Sequence, residues 1–419
     1  MSESTTTGPP ATASDRQDER LIALEKGPMA LLVSFWERLK GGDLGSLPVV
    51  FGLIVISIVF YAKEPIFLSS RNLVTITQFA APIGIISLGI VLVLLLGEID
   101  LSVGSVSGAS AAVMAVQIVN HGHSIIFGIL AGILVGVAVG LFYAFLYTKL
   151  GVPSFVFSLA GLLAFQGVLL YVLGTDGTIN LPSDSWLLDF ARFKFLTGAA
   201  SYILVALIAL AYLAAQLAGQ RSRLKAELSA PTTTSILIKA GLLTVGLGYL
   251  TYYLNIGRGW SYLWLFFAAL VVLMDFALRR TRWGRHLFAV GGNEEAARRS
   301  GIKVNRIYLS VFVGCSTLAA VGGILGAAQL TSVSQSTGTT DTNLTAIAAA
   351  VIGGTSLFGG RGSAYAAMLG ILVLLAIQNG LNLIGVDSSV RFIVTGAVLL
   401  LAVAIDSVSR RARSSSGRG

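Results

Sequence analysis

The stretch Ile83-Gly-Ile-Ile-Ser-Leu-Gly-Ile-Val-Leu-Val-Leu-Leu-Leu-Gly97-Glu-Ile-Asp-Leu-Ser-Val-Gly-Ser105 decides the fold class. Its first part ends an uncharged run that begins at Leu73. A bilayer core needs roughly 20 mostly apolar residues for one helical crossing, and 73–97 supplies them. A short polar break carrying Glu98 and Asp100 follows. A second apolar run, 101–119, starts at once.

The whole chain repeats this alternation. Of 419 residues, 55% are hydrophobic and 12% charged, against about 25% charged in soluble domains. The chain reads as an all-α, polytopic helical membrane protein. Further apolar runs fall at 46–62, 124–148, 152–173, 198–217, 236–254, 260–278, 307–326, 344–358, 363–384 and 390–407. Together they predict twelve crossings, or ten to twelve if short segments re-enter. The 344–358 run is the short one, at about 22 Å of helix. The transmembrane permease-like domain is expected over 46–408. Residues 1–45 form a segment whose Ser/Thr/Pro-rich part, Met1 to Lys26, reads as disordered, with no signal-peptide-like run ahead of it. Residues 409–419, with Arg410, Arg411 and Arg413, form a basic tail.

Charge bears on topology. Cytoplasmic loops concentrate Lys and Arg. With the N-terminus inside, all of the 29 Lys and Arg lie on the cytoplasmic side except Lys63, Arg71, Arg192, Lys194, Arg258 and Arg391. Both termini are therefore expected in the cytoplasm. The net charge of +9 belongs to this bias and not to nucleic-acid binding.

Several chemistries are not indicated. Cys315 is the single cysteine, so no internal disulfide forms, and it sits in an apolar run as packing. His121, His123 and His286 lack a ligand cluster, so no metal site is expected. No G-x-x-x-x-G-K-[ST] loop is present to cradle ATP phosphates, and no catalytic grouping stands out. Tyr249, Tyr252, Tyr253, Trp260, Tyr262 and Trp264 flank the 255–259 turn as an interfacial belt. Gly128, Gly132, Gly136 and Gly140 make a smooth stripe for close helix approach.

Two interruptions have alternative readings. In the first, Glu98 and Asp100 are either solvated acids of a short turn, or part of a helix break at membrane depth. The second reading draws on the brevity of the loop, the lack of basic residues, and the adjoining Ser102, Gly104, Ser105, Ser107 and Gly108. Intramembrane ionisable groups usually line a pathway. A second break, Gly353-Gly-Thr-Ser-Leu-Phe-Gly-Gly-Arg-Gly-Ser363, stands 256 residues later and contains Thr355 and Ser356. Gly97, Leu101 and Gly104 align with Gly353, Leu357 and Gly360. Paired interruptions mark substrate sites in transporters. Gln378, Asn379 and Asn382 put amides on a late helix, suited either to sugar hydroxyls or to interhelical bonding.

A polar island, Gly291-Gly-Asn-Glu-Glu-Ala-Ala-Arg-Arg-Ser-Gly301, reads as a complete small helix. Asn293 is its N-cap. Glu294 and Glu295 suit the positive end of the helix dipole, and Arg298 and Arg299 the negative end. Glu294–Arg298 and Glu295–Arg299 are i,i+4 pairs, and Gly301 ends the helix. A capped helix set on a loop of a membrane protein is built for a partner.

Three segments, Glu98–Ser105, Gly291–Gly301 and Val351–Gly360, together with Val152–Gly161, resemble the permease subunits of bacterial ABC importers for monosaccharides, the ribose/xylose/arabinose group. The resemblance runs from about residue 50 to 410. Within the group it is most similar to the D-xylose branch: Glu98 stands where ribose-type relatives carry glycine, and 198–258 adds a helix pair with a basic loop. The resemblance implies a bacterial cytoplasmic-membrane protein that acts as a homodimer of permeases. It also implies a separate ABC ATPase subunit, which would hold ATP and magnesium, and an extracytoplasmic sugar-binding protein. No cofactor would bind this chain and no bond-making chemistry would occur on it. Glu295, Ala296, Ala297 and Gly301 match the family's E-A-A-x-x-x-G coupling loop; Asn293, Glu294 and Arg298 belong to the same helix. The I-x-L-P ending of many importers is absent after Gly301. Glu98, Asp100, Ser102, Ser105, Thr355, Ser356, Gln378 and Asn379 are the expected translocation-path residues. Two alternatives remain: a proton-coupled secondary sugar transporter using Glu98 or Asp100, and an ABC permease for ribose, a signalling furanose or a nucleoside. A non-transporting scaffold leaves the paired breaks without a purpose.

Overall fold

The computed structural model describes residues 47–226, 228 and 230–415. The expected N-terminal segment, 1–45, lies outside them, as do residues 416–419 of the basic tail.

Each of the twelve apolar runs is helical. In chain order these are α1 (Leu47–Lys63), α2 (Ser70–Leu95), α3 (Val103–Val119), α4 (Ile125–Leu150), α5 (Ser154–Leu173), α6 (Gly198–Lys225), α7 (Thr233–Asn255), α8 (Tyr262–Arg280), α11 (Val304–Leu330), α12 (Thr340–Ile352), α13 (Ala364–Leu383) and α14 (Ser388–Ser415). Two short helices, α9 (Arg282–Gly292) and α10 (Glu294–Arg299), fill the loop before α11. Little sheet is present: β1 (Thr178–Asn180) pairs antiparallel with β4 (Ser332–Ser334), and β2 (Phe195–Leu196) with β3 (Trp260–Ser261).

Among the described residues, eight helices are long and apolar enough to cross a membrane: α2, α4, α5, α6, α7, α8, α11 and α13. Helices α1, α3 and α12 are shorter, at 17, 17 and 13 residues. At 1.5 Å per residue, the 17-residue α3 and the 13-residue α12 span about 25 Å and 20 Å. Hydropathy alone could not place the end of α12, because the turn after it is built from glycine and small residues that read as membrane text. In turn, α14 runs to Ser415, past the expected boundary at 408.

The chain divides into two compact units. In one, Thr197–Ile256, α6 and α7 form a helical hairpin. Gln220 Nε2 donates to Pro231 O at 2.7 Å, and Asn255 Nδ2 to Ser201 Oγ at 2.9 Å, so the hairpin is tied near both ends. The other unit, Gly45–Leu196 with Gly257–Gly419, holds the main core.

Within that main unit α2 and α3 are central. Both are buried over most of their length. In lipid there is little hydrophobic gain in pressing helix on helix, so close backbone approach takes its place. The glycine stripe of α4 does this. A Cβ on Gly132 would lie 2.7 Å from Ser110 O of α3, and one on Gly136 2.5 Å from Ser316 O of α11. A Cβ on Gly140 would lie 2.5 Å from Val313 Cα. The stripe thus lets α4 rest on α3 and α11 at once. Pro82 lies inside α2 without ending it, as membrane helices tolerate where neighbours satisfy the freed groups. A smaller apolar cluster, Phe60, Phe67, Ile76 and Ala376, joins α1 to α2 and α13.

Overpacking a filled contact typically costs about 1–3 kcal/mol. Gly136→Val should therefore lower the melting temperature of the detergent-solubilised protein by several degrees. Gly167→Ala on α5, which meets no neighbouring atom within 4 Å, should leave it unchanged. Equal melting of the two variants would show that the stripe is not a packing contact.

Candidate functional site

The two interruptions, far apart in sequence, meet in space. Gly360 N–H donates to Leu95 O at 2.9 Å. Gly97, Gly359 and Gly360 have φ of +81°, +81° and +71°, a region open to glycine and strained for other residues. A Cβ on Gly359 would lie 2.6 Å from Gly291 O and 2.9 Å from Gly97 N. A Cβ on Gly291 would strike Leu95 O. The backbone around Leu95–Gly97, Gly291–Gly292 and Gly359–Gly360 therefore comes together in close approach.

The first break is held by its own acids and by α5. Asp100 is 1% exposed. Its Oδ1 accepts from Ser102 N at 2.8 Å and Ser102 Oγ at 2.7 Å, and its Oδ2 faces Cys315 Sγ at 3.9 Å. Tyr143 OH donates to Ser102 Oγ at 2.9 Å. The connection 96–102 lies outside the helices. Ser154 Oγ accepts from Ile99 N at 3.3 Å. Ser105 is buried in the first turn of α3, and Gly104 N–H donates to Asn343 Oδ1 of α12. Asp100 is thus an enclosed anchor of the turn and not a solvated acid.

Glu98 is the half-buried member of the break. Tyr147 OH donates to its Oε1 at 2.7 Å. The Tyr147 ring lies against that of Tyr308, centroids 4.3 Å apart. Tyr308 OH donates to Glu294 Oε2 at 3.2 Å. A continuous side-chain connection therefore runs from the break to α10. Neither tyrosine was singled out from sequence. Each sits near the end of an apolar run, where interfacial aromatics are the ordinary expectation.

In the second break, Thr355 and Ser356 are buried. Ser356 N donates to Arg361 O at 3.0 Å, and Ser356 Oγ accepts from Phe358 N at 3.3 Å. Thr355 Oγ1 has no hydrogen-bond partner among the described residues.

The island is a helix as read. Asn293 Oδ1 accepts from Ala296 N at 2.9 Å. Ion pairs join Arg298 to Glu294 at 2.5 Å and Arg299 to Glu295 at 3.1 Å. At the other end Gly301, φ +86°, donates to Arg298 O, and Ile302 N to Ala297 O, the paired closure of a Schellman motif. Only Ala297 is buried; Glu295, Ala296, Arg298 and Arg299 are exposed. Helix α9 supports it from behind: Trp283 Nε1 donates to Ser310 Oγ of α11 at 2.8 Å, and Leu287 and Val290 enter the core.

Gln378 and Asn379 lie elsewhere. They are on the last turns of α13, some 20 Å along that helix from the junction end at Ser363. Asn379 exchanges two amide bonds with Asn72 of α2, at 2.8 and 3.1 Å. It serves there as interhelical glue. Gln378 makes no hydrogen bond among the described residues and borders two clefts.

Residues 72–403 match the family described as branched-chain amino acid transport system / permease component. The xylose transport system permease protein of Escherichia coli K12 is 34% identical over 374 residues, 89% of this chain and 94% of that relative. The corresponding protein of Haemophilus influenzae is 33% identical over 375 residues, 89% and 99% of the two chains. The ribose import permease protein of Bacillus subtilis is 31% identical over 365 residues, 87% and 94%. No solved structure matches.

Removing the Asp100 carboxylate leaves a buried N–H and hydroxyl of Ser102 without their acceptor, at about 1–3 kcal/mol. Asp100→Ala should lower the melting temperature clearly. Asp100→Asn, which keeps an oxygen at Oδ1 and carries no charge to desolvate, should lower it much less. Equal losses in a thermal melt would count against the anchoring role.

Proposed function

The chain belongs to the branched-chain amino acid transport system / permease component family, and from that membership we propose that it is the membrane-spanning permease subunit of an ATP-driven monosaccharide importer. D-Xylose is the first candidate substrate and D-ribose the second. The relatives named for xylose and for ribose, at 31–34% identity over most of the chain, support the sugar class and leave the choice between these two sugars to experiment.

The observation that carries the reading is the pairing of an exposed helix with a buried junction. Helix α10 offers Glu295, Ala296, Arg298 and Arg299 outward. On its inner side Glu294 connects through Tyr308 and Tyr147 to Glu98. In the proposed mechanism an ABC ATPase, which supplies ATP hydrolysis with magnesium, grips the outer face of α10. Movement of α10 and α9 is then passed to the junction by direct backbone contact at Gly291, Leu95 and Gly360 and by the tyrosine pair. Because packed interfaces switch between discrete arrangements, a small displacement there would rock the helices that start at the junction. That gives alternating access. A second copy of this chain would complete the path, and an extracytoplasmic binding protein would deliver the sugar. Both termini, by the charge bias, lie on the ATPase side, in the cytoplasm of a bacterial cell.

Proteoliposomes holding this chain with its ATPase and binding protein should import D-xylose or D-ribose when ATP is supplied and no proton gradient exists. Import driven by a proton gradient without ATP would sink this reading. Glu295→Lys reverses one charge on the exposed face and leaves the buried side intact. It should cut co-purification of the ATPase about tenfold, consistent with a lost charged contact at an interface, with an unchanged melting temperature. Tyr308→Phe should spare docking and lower the sugar imported per ATP hydrolysed by roughly fivefold, the equivalent of about 1 kcal/mol of coupling. An unaltered ratio would remove the tyrosine pair from the mechanism.

A further inference from the structure

Two clefts adjoin at the end of the main unit remote from α10. One, of about 300 Å³, is lined by Asp341, Thr342 and Thr345 of α12, Gln378 of α13, and Arg391 and Phe392 of α14. The other, of about 290 Å³, is lined by Thr75 and Phe79 of α2, Asn379 and Asn382 of α13, and again Gln378 and Arg391. Gln378 and Arg391 thus stand between the two. The guanidinium is held in place: it donates through Nη1 to Asn382 Oδ1 at 3.1 Å and through Nη2 to Ser388 Oγ at 2.5 Å. Its Nε is enclosed and has no partner among the described residues. Gln378, as noted, makes no hydrogen bond there, in contrast to the neighbouring Asn379.

The geometry points to a transit site for a single neutral sugar ring across Gln378 and Arg391, an inference that rests on the importer reading above. The lining offers both donors and acceptors: a carboxylate at Asp341, hydroxyls at Thr342 and Thr345, an uncommitted amide at Gln378 and the guanidinium of Arg391. A polyol has both roles on each hydroxyl and can satisfy all of them. Phe79 and Phe392 supply apolar faces for the C–H side of a ring. Each cleft lies at the small end of ligand-site volumes, which suits one ring and not an oligosaccharide. An anionic ligand fits less well, because Asp341 faces the same cleft as Arg391. Helix α12 carries Asp341 and Thr345 at its start and ends at Ile352, immediately before the second break. One rigid element thus joins the transit site to the junction.

The test uses the full complex in proteoliposomes with ATP, the binding protein and labelled D-xylose or D-ribose. Gln378→Ala and Thr345→Val should each reduce sugar import about tenfold, the scale of one lost hydrogen bond in an enclosed site. They should shift the xylose-to-ribose ratio, while ATPase co-purification and binding-protein-stimulated ATP hydrolysis stay within about twofold. Thr345→Ser should restore import. Unchanged import and sugar ratio in both variants would overturn the site. So would a parallel fall in import and ATP hydrolysis, which would make these residues structural. If the wild-type complex hydrolyses ATP but imports neither sugar, the substrate reading fails instead, independently of the variants.

Discussion

Backbone shut away from water cannot leave its polar groups unpaired, so each enclosed interruption of a helix must find its hydrogen-bonding partners in the protein. The architecture described here follows from that constraint. The chain stops helices α2 and α12 at two breaks and ties them to each other through the Gly360 N–H given to Leu95 O. The freed groups of the first break are taken up by Asp100, Ser102 and Ser154. The N–H and O–H that Ser102 donates are what support the buried Asp100 carboxyl beside the junction. Once the breaks are placed, α3 and α12 are short by necessity, and the glycine stripe of α4 is required to bring the surrounding helices into contact.

The spanning helices were legible because lipid imposes a coarse and local rule. A run of apolar residues of sufficient length becomes a helix whatever its neighbours are, so α2, α4 and α11 fall close to their expected bounds. Capping chemistry is equally local, and Asn293, Glu294, Arg298 and Gly301 describe their small helix completely. The end of one short run was not legible. Glycine and alanine continue the apolar text through a turn, so 344–358 read as one segment where the chain has a 13-residue helix and a reversal.

The candidate site was legible in part, for a different reason. Glu98 and Asp100 announced themselves as charges in apolar surroundings, yet their environments diverge in three dimensions. Asp100 is enclosed by a serine and a thiol, and Glu98 reaches a tyrosine on another helix. Tyr147 and Tyr308 are 161 residues apart in the chain and unremarkable singly; their meaning arises only from ring contact. Gln378 and Asn379 are adjacent and chemically alike, but one amide is spent on Asn72 and the other is not. Helical spacing turns neighbouring residues to different surfaces, which a linear reading does not resolve without the packing partners.

The glycine junction has a consequence for how this protein can vary. Contacts between side chains can be renegotiated, since a loss on one side is often compensated by growth on the other. A contact between bare backbones has no such freedom. At Gly291 and Gly359 what is specified is an absence, and any side chain is an intrusion. Descendants of this chain can therefore retune the outer face of α10 to a changed partner, and the polar lining of the clefts to a changed cargo, nearly independently. The hinge between those surfaces stays fixed because it contains nothing that selection could exchange.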